Sequence, residues 1–260
     1  MAGLTGKTIS SAYKSLLRIN DDTNGVDSTI ENVTDGEGTA SSLSLSDDVL
    51  LVKPQNDNTT LTFGVSDKDG NVKFHVDTTN DLVKAHGHSV TTQYANFTMA
   101  GGTVGSELAN NHHALAFGAQ SLAGTPSFGT GTDPATTFTT AEGAGTRADI
   151  LVPCLWYVPD NISILGVTSI EGADTATGDT TRMHLMSYTF NSGSTSALTS
   201  GTLLAHNSDV TNSGSEQGYK STFTVDSANV ASGKVIMAFM RADSINSDYS
   251  ATIFIKYILV

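Results

Sequence analysis

The sequence predicts an all-β protein, and three observations carry that expectation. Across 260 residues, apolar and polar side chains alternate at period two in short runs divided by Gly, Asn, Asp and Ser. Ser and Thr make up about a quarter of the chain, whereas Asp, Glu, Lys and Arg reach only 15%, so hydroxyls rather than charges wet the surface. β-Branched Thr and abundant turn glycines both favour strands. Convincing helical periodicity is confined to one stretch near the start.

That stretch places Ile9, Tyr13, Leu16 and Leu17 on one face at i, i+4, i+7 and i+8, with Thr8 or Ser10 available as a cap. About three turns of helix are too short to stand alone in water. Residues 21–46 are rich in Asp, Asn, Gly, Ser and Thr and read as an extended arm. Two readings of residues 1–48 stay open at this level: a frayed terminus, or an anchor in which Ile9, Tyr13, Leu16 and Leu17 dock on a partner.

Residues 49–146 read as a β-hairpin stalk followed by a loop-rich connection. Leu61, Phe63 and Val65 alternate with polar residues, as do Val72, Phe74 and Val76. Asp69-Gly70 between them is a hairpin turn, because that pair accepts positive φ. Small hairpins bury little alone, and three copies wrapped around one axis would supply the missing core. From 147 to 260 the pattern predicts a β-sandwich or jelly-roll head, with strands at 150–158, 162–170, 183–190, 202–205, 219–225, 235–240 and 249–259. In the last of these, Ile253, Ile255, Tyr257 and Leu259 share a face that belongs in a core, one a neighbouring subunit could share.

Charge and cysteine content exclude several function classes. With 13 basic and 26 acidic residues the net charge is −13, and no basic stripe is present to meet phosphates or an anionic bilayer. No apolar run is long enough for a membrane helix, and residues 1–7 lack the pattern of a signal peptide. The single cysteine, Cys154, excludes an internal disulfide or a CxxC site and sits in an apolar run as a buried small hydrophobe.

Three constellations imitate chemistry. Asp67, Asp69 and Asn71 resemble the opening of a calcium loop, but glycine falls at the fourth position rather than the sixth, so they read as a hairpin turn. His86, His88, His112 and His113 could meet on a symmetry axis and bind a metal; without carboxylate or cysteine spacing they read as polar loop histidines. Asp174 with Asp179 could pose as a glycosidase pair, with only Trp156 and Tyr157 as aromatic platforms, and reads instead as a turn. No nucleophile elbow, P-loop or dinucleotide fingerprint occurs. Catalytic residues, metal and cofactor are therefore expected to be absent.

Residues 6–19 (GKTISSAYKSLLRI), 24–30 (NGVDSTI) and 35–43 (DGEGTASSL) resemble amino-terminal segments of marine tailed-phage virion structural proteins. Residues 69–80 (DGNVKFHVDTTN) are similar to shaft modules of such fibres. The stretch 151–259, with WYVPD at 156–160 and GDTTRMHLM at 178–186, looks like a head domain of the same proteins. The resemblance implies a non-enzymatic, homotrimeric component of a tailed-phage virion surface, made in the bacterial cytoplasm and anchored to capsid or tail proteins through residues 1–48. A capsid decoration protein or head fibre is the first expectation. A short tail fibre binding host surface glycans is the alternative, and a tail-associated carbohydrate-active enzyme is the more distant one. No nucleic-acid contact and no membrane insertion are expected.

Overall fold

The structure, a computed structural model, describes residues 16–21, 23–104, 110–118, 126–141, 147–174, 177–214, 216–243 and 248–260. The fold is nearly all-β with antiparallel sheets, and the chain divides into two units, Met1–Thr91 and Thr92–Val260.

The first unit holds two four-stranded meanders. One comprises β1 (Arg18–Ile19), β2 (Glu31–Thr34), β3 (Ala40–Leu45) and β4 (Leu50–Val52), paired in that order. The other comprises β5 (Phe63–Ser66), β6 (Val72–Asp77), β7 (Leu82–Ala85) and β8 (His88–Ser89). Leu16 and Leu17, expected at the end of a helix, stand in irregular backbone just before β1; Ile9 and Tyr13 lie outside the described residues. Strand pairing of Arg18 and Ile19 with Thr34 and Val33 takes up the backbone that a continuing helix would need.

The second unit begins with β9 (Thr92–Val104), β10 (His113–Ala114) and β11 (Ala116–Phe117). A short helix α1 (Ala148–Leu151) and a 3-10 turn (Val152–Cys154) lead into β12 (Trp156–Tyr157) and the long β13 (Ile162–Asp174) and β14 (Thr180–Phe190). There follow β15 (Leu198–His206), β16 (Val210–Thr211), β17 (Gln217–Thr222), β18 (Thr224–Val225), β19 (Asn229–Val230), β20 (Lys234–Ala242) and β21 (Asp248–Leu259). One sheet runs β10-β20-β14-β15-β18, with β12 on β20 and β16 on β14. The other runs β11-β9-β21-β13-β17, with β19 on β13. Strand β9, which the loop-rich reading grouped with the stalk, thus lies beside β21 in this unit.

A core formed by both sheets lies between them. It takes Phe97 and Met99 from β9, Val167 from β13, Met183 and Leu185 from β14, Ala238 and Met240 from β20, and Ile253 and Ile255 from β21. The two sheets differ on their outer faces, and the sequence pattern follows from that difference. Strand β21 alternates, its outward residues Ser250, Thr252 and Lys256 being partly exposed, whereas residues 235–240 of β20 (VIMAFM) are buried without interruption. Met237 and Phe239 of that run join Tyr188, Phe128, Phe138, Leu151 and Cys154 in a second cluster, formed where residues 126–141 and 147–154 cover the outer face. Phe128 stacks on Phe138 at 4.2 Å, and the Tyr188 hydroxyl donates to the Ala135 carbonyl at 2.9 Å.

This covering layer accounts for a difference from the sequence expectation at 150–158. Only Trp156 and Tyr157 there are strand; residues 148–154 turn helically so that Leu151 and Cys154, three apart, both enter the second cluster. Pro153 at the start of the 3-10 turn has no N–H to give a sheet. Burial pushes the Cys154 thiol up to about 12, so it stays a protonated core side chain that donates to the Ile150 carbonyl.

The space between the sheets holds a buried carboxyl. Glu171 of β13 is buried, its Oε2 accepting from Thr181 Oγ1 at 2.8 Å while its Oε1 has no hydrogen-bond partner. Burial pushes its carboxyl up to about 7, against a modest opposing effect of the threonine bond. The folded chain therefore holds a proton that the unfolded chain releases, and stability falls as pH rises from about 4.5 through 7. Replacing Glu171 with Gln is expected to leave stability at pH 4 unchanged and to raise it by about 3 kcal/mol at pH 8. Urea unfolding at the two pH values checks this; equal midpoints at pH 8 would refute it.

Candidate assembly surface

The first unit has almost no core of its own. Among its described residues Val33 is the one buried hydrophobic side chain, while Leu50 and Leu51 of β4, Phe63 and Val65 of β5, and Val72 and Phe74 of β6 are exposed. Cross-strand register shows how this arises in the second meander. Phe63 lies opposite Val76, Val65 opposite Phe74, and Val76 opposite Val83, so period-two alternation puts them all on one face. Polar groups occupy the other face, where Lys84 Nζ lies 3.0 Å from the buried Asp77 carboxylate. Phe63 and Phe74 meet edge to face at 6.4 Å, and both rings stay exposed among the described residues. A meander gains its stability from a covered apolar face, so this one is built to be covered.

The turns of this unit are secured internally. Asp67 Oδ1 accepts from the backbone N–H groups of Asp69 and Asn71, and Lys73 Nζ sits 3.0 Å from Oδ2. Lys73 and Asn71 hold that carboxyl down to about 2. Gly70 takes φ +86°, as the Asp-Gly turn requires. The three residues that imitate a calcium loop are thus committed to the hairpin.

The sequence-selected histidines are divided between the two units. His86 takes φ +49° in the turn between β7 and β8, and His88 begins β8, both in the first unit. His112 and His113 belong to the second unit and are buried, which corrects the expectation of loop histidines: His113 pairs with Met240 of β20, and the His112 N–H donates to the Gly129 carbonyl. The neighbours of His112 are residues that sequence spacing did not single out. His184 stands edge-on to it at 4.8 Å, and His206 stacks against His184 at 6.5 Å. His184 and His206 are register partners on β14 and β15, a long-range pairing whose only local trace is His184 alternating with Met183 and Leu185. Among the described residues no group of three His, Cys, Asp or Glu is placed to hold a metal ion.

Of the two aspartates, the Asp174 side chain lies outside the described residues. Asp179 Oδ2 accepts from the Tyr249 hydroxyl at 3.1 Å, and its backbone carbonyl accepts from the Asn212 N–H. An open recess of about 310 Å³ nearby is lined by Thr180, Arg182, Asp209, Arg241 and Asp243, without an aromatic platform. Arg182 lies 2.8 Å from Asp209, and Arg241 donates to the Gly131 carbonyl. No protein-family model matches this chain, and a search of curated proteins likewise found no match.

Proposed function

We propose that this chain is a non-enzymatic structural protein of a tailed-phage virion surface, assembled as a homotrimer, with capsid decoration or a head fibre as its role. The observation that carries the reading is the exposed apolar face of β5–β7 in a unit that has, among its described residues, a single buried hydrophobic side chain. Three such faces turned toward a common axis exclude water from one another and remove their aggregation hazard. In the second unit, eight strands taken in chain order give the sequences first-eighth-third-sixth (β9-β21-β13-β17) and second-seventh-fourth-fifth (β10-β20-β14-β15). That order supports a jelly-roll head. The acidic, hydroxyl-rich composition suits many copies crowded on a particle.

Sedimentation equilibrium of the full chain tests the reading. The expected mass is that of three chains, and the double variant Phe63→Ser/Phe74→Ser is expected to dissociate at a protein concentration at least tenfold higher. A wild-type monomer at tens of micromolar would end the proposal. Gold-labelled antibody on purified particles then separates capsid from tail.

A further inference from the structure

Two turns of the first unit are built alike. In each, an aspartate Oδ1 accepts from the N–H groups two and four residues on: Asp35 from Glu37 and Thr39, both at 2.9 Å, and Asp67 from Asp69 and Asn71, at 3.0 and 2.9 Å. In each, the glycine next to last donates to that aspartate's carbonyl at 3.1 Å, Gly38 with φ +87° and Gly70 with φ +86°. The likeness continues beyond the turns at one constant offset of 32 residues, which carries β2 onto β5, β3 onto β6 and β4 onto the start of β7. Register carries over with the strands. Leu43, Ser44 and Leu45 face Val52, Leu51 and Leu50, while their counterparts His75, Val76 and Asp77 face Lys84, Val83 and Leu82. Thr34 faces Ala40 as Ser66 faces Val72. Ahead of the strands, the Asp27 side chain accepts from the Thr29 N–H as Thr59 accepts from Leu61. The bulge between the first two strands departs from the match, lying at Asn32–Thr34 in one meander and at Val65–Ser66 in the other.

We infer that residues 27–53 and 59–85 are two tandem copies of one β-meander module, the first an exchangeable spacer and the second the copy that carries the assembly contact. A hairpin turn of this kind recurs widely and proves little alone. Self-similarity at a single period across three strands, their pairing and their turn marks a repeated supersecondary unit. Identical side chains are few: Val33 and Val65, Asp35 and Asp67, Gly38 and Gly70, Leu50 and Leu82. The aspartate and glycine are those the turn requires, a carboxylate to hold two N–H groups and a residue free to take positive φ. Contact residues are not repeated. Phe63, Val65, Phe74, Val76 and Val83 have Glu31, Val33, Ser42, Ser44 and Leu51 in the equivalent places, so the apolar face belongs to the second copy. A module that packs only on its neighbours in sequence can be removed whole.

The spacer role rests on the multimeric reading above, and the repeat does not. Removing residues 36–67 joins Asp35 to Lys68 and makes a hybrid module; Glu31→Phe in the same chain restores the missing ring. Removing 36–68 instead leaves the turn one residue short and turns the next strand over. Amide hydrogen exchange over residues 72–85, read by mass spectrometry, compares the two with wild type. The hybrid is expected to keep wild-type protection within about threefold, and the shorter chain to lose it by about tenfold or more. Equal protection in both, kept or lost, overturns the repeat, as does an unprotected wild type. Removing residues 27–58 excises the first copy, and sedimentation equilibrium is expected to return the wild-type number of chains. Removing 54–85 excises the second, and dissociation is expected at a protein concentration at least tenfold higher. Equal behaviour of these two deletions overturns the spacer role and leaves the repeat standing. A monomeric wild type ends the multimeric reading and the spacer role together, while hydrogen exchange still decides the repeat.

Discussion

Replacing Gly201 with alanine is expected to destabilise the second unit by about 3 kcal/mol or more, the upper range for forcing extra volume into a packed core. Gly201 lies in β15 and donates its N–H to the Thr136 carbonyl at 2.9 Å, so a loop backbone crosses directly above it. A Cβ there would lie 2.7 Å from Thr136 Cα, 2.7 Å from Tyr188 Cε1 and 3.0 Å from Thr136 O. Two of the three are backbone atoms and the third belongs to a ring held by its own hydroxyl bond to Ala135, so none can yield cheaply. Relief would have to lift residues 126–141 off the sheet, uncovering Phe128 and Phe138. Gly166 is the matched control: it also lies in a strand, its Cβ would meet nothing within 4 Å, and Gly166→Ala is expected to be neutral or slightly stabilising. Guanidinium unfolding compares the two. Equal midpoints would mean that the covering layer does not press on β15.

Local pattern and long-range register divide what could be read from this chain. Strand β21 was legible because Ser250, Thr252 and Lys256 alternate with the buried Ala251, Ile253 and Ile255. Residues 235–240 were legible as a strand, but their unbroken hydrophobicity means two covered faces, and the covering residues lie about a hundred positions earlier among glycines. Phe128 and Phe138 were visible as anchors, yet nothing local says which sheet they cap. The Asp67–Asn71 turn was readable in full because its hydrogen bonds span four residues. The exposed faces of β4–β6 were foreshadowed by the weakness of isolated hairpins. The histidine pairing across β14 and β15 was not readable, since register between distant strands is set by the whole sheet.

That histidine pairing makes the second unit acid-labile. His184 is fully buried, neither ring nitrogen has a hydrogen-bond partner, and Arg182, Arg241, His112 and His206 face it from β14, β20, the residue before β10, and β15. Burial first, then these cationic or protonatable neighbours, pushes its imidazole down to about 3. Asp133 is the one carboxylate close by, but at 3.5 Å and half exposed to water it does not offset the desolvation, so the contact is a neutral imidazole beside a carboxylate. His206 keeps its own carboxylate, Asp226, at 2.8 Å. The unfolded chain binds a proton at His184 below pH 6.5 that the folded chain refuses. Stability therefore falls by about 1.4 kcal/mol per pH unit from pH 6.5 toward 3, for a total of about 5 kcal/mol. His112, lowered by burial as well, steepens the fall. Glu171 acts in the opposite sense between about pH 4.5 and 7, so the wild-type slope understates the histidine effect and the comparison belongs in a Glu171→Gln background. There, His184→Met fills the site with an uncharged side chain of similar volume. It is expected to unfold like its parent at pH 8 and to be more stable by about 2–3 kcal/mol at pH 4.5. Parallel stability curves from pH 8 to 4.5 would show that His184 takes up its proton in the folded chain, and that the two arginines beside it do not govern its charge.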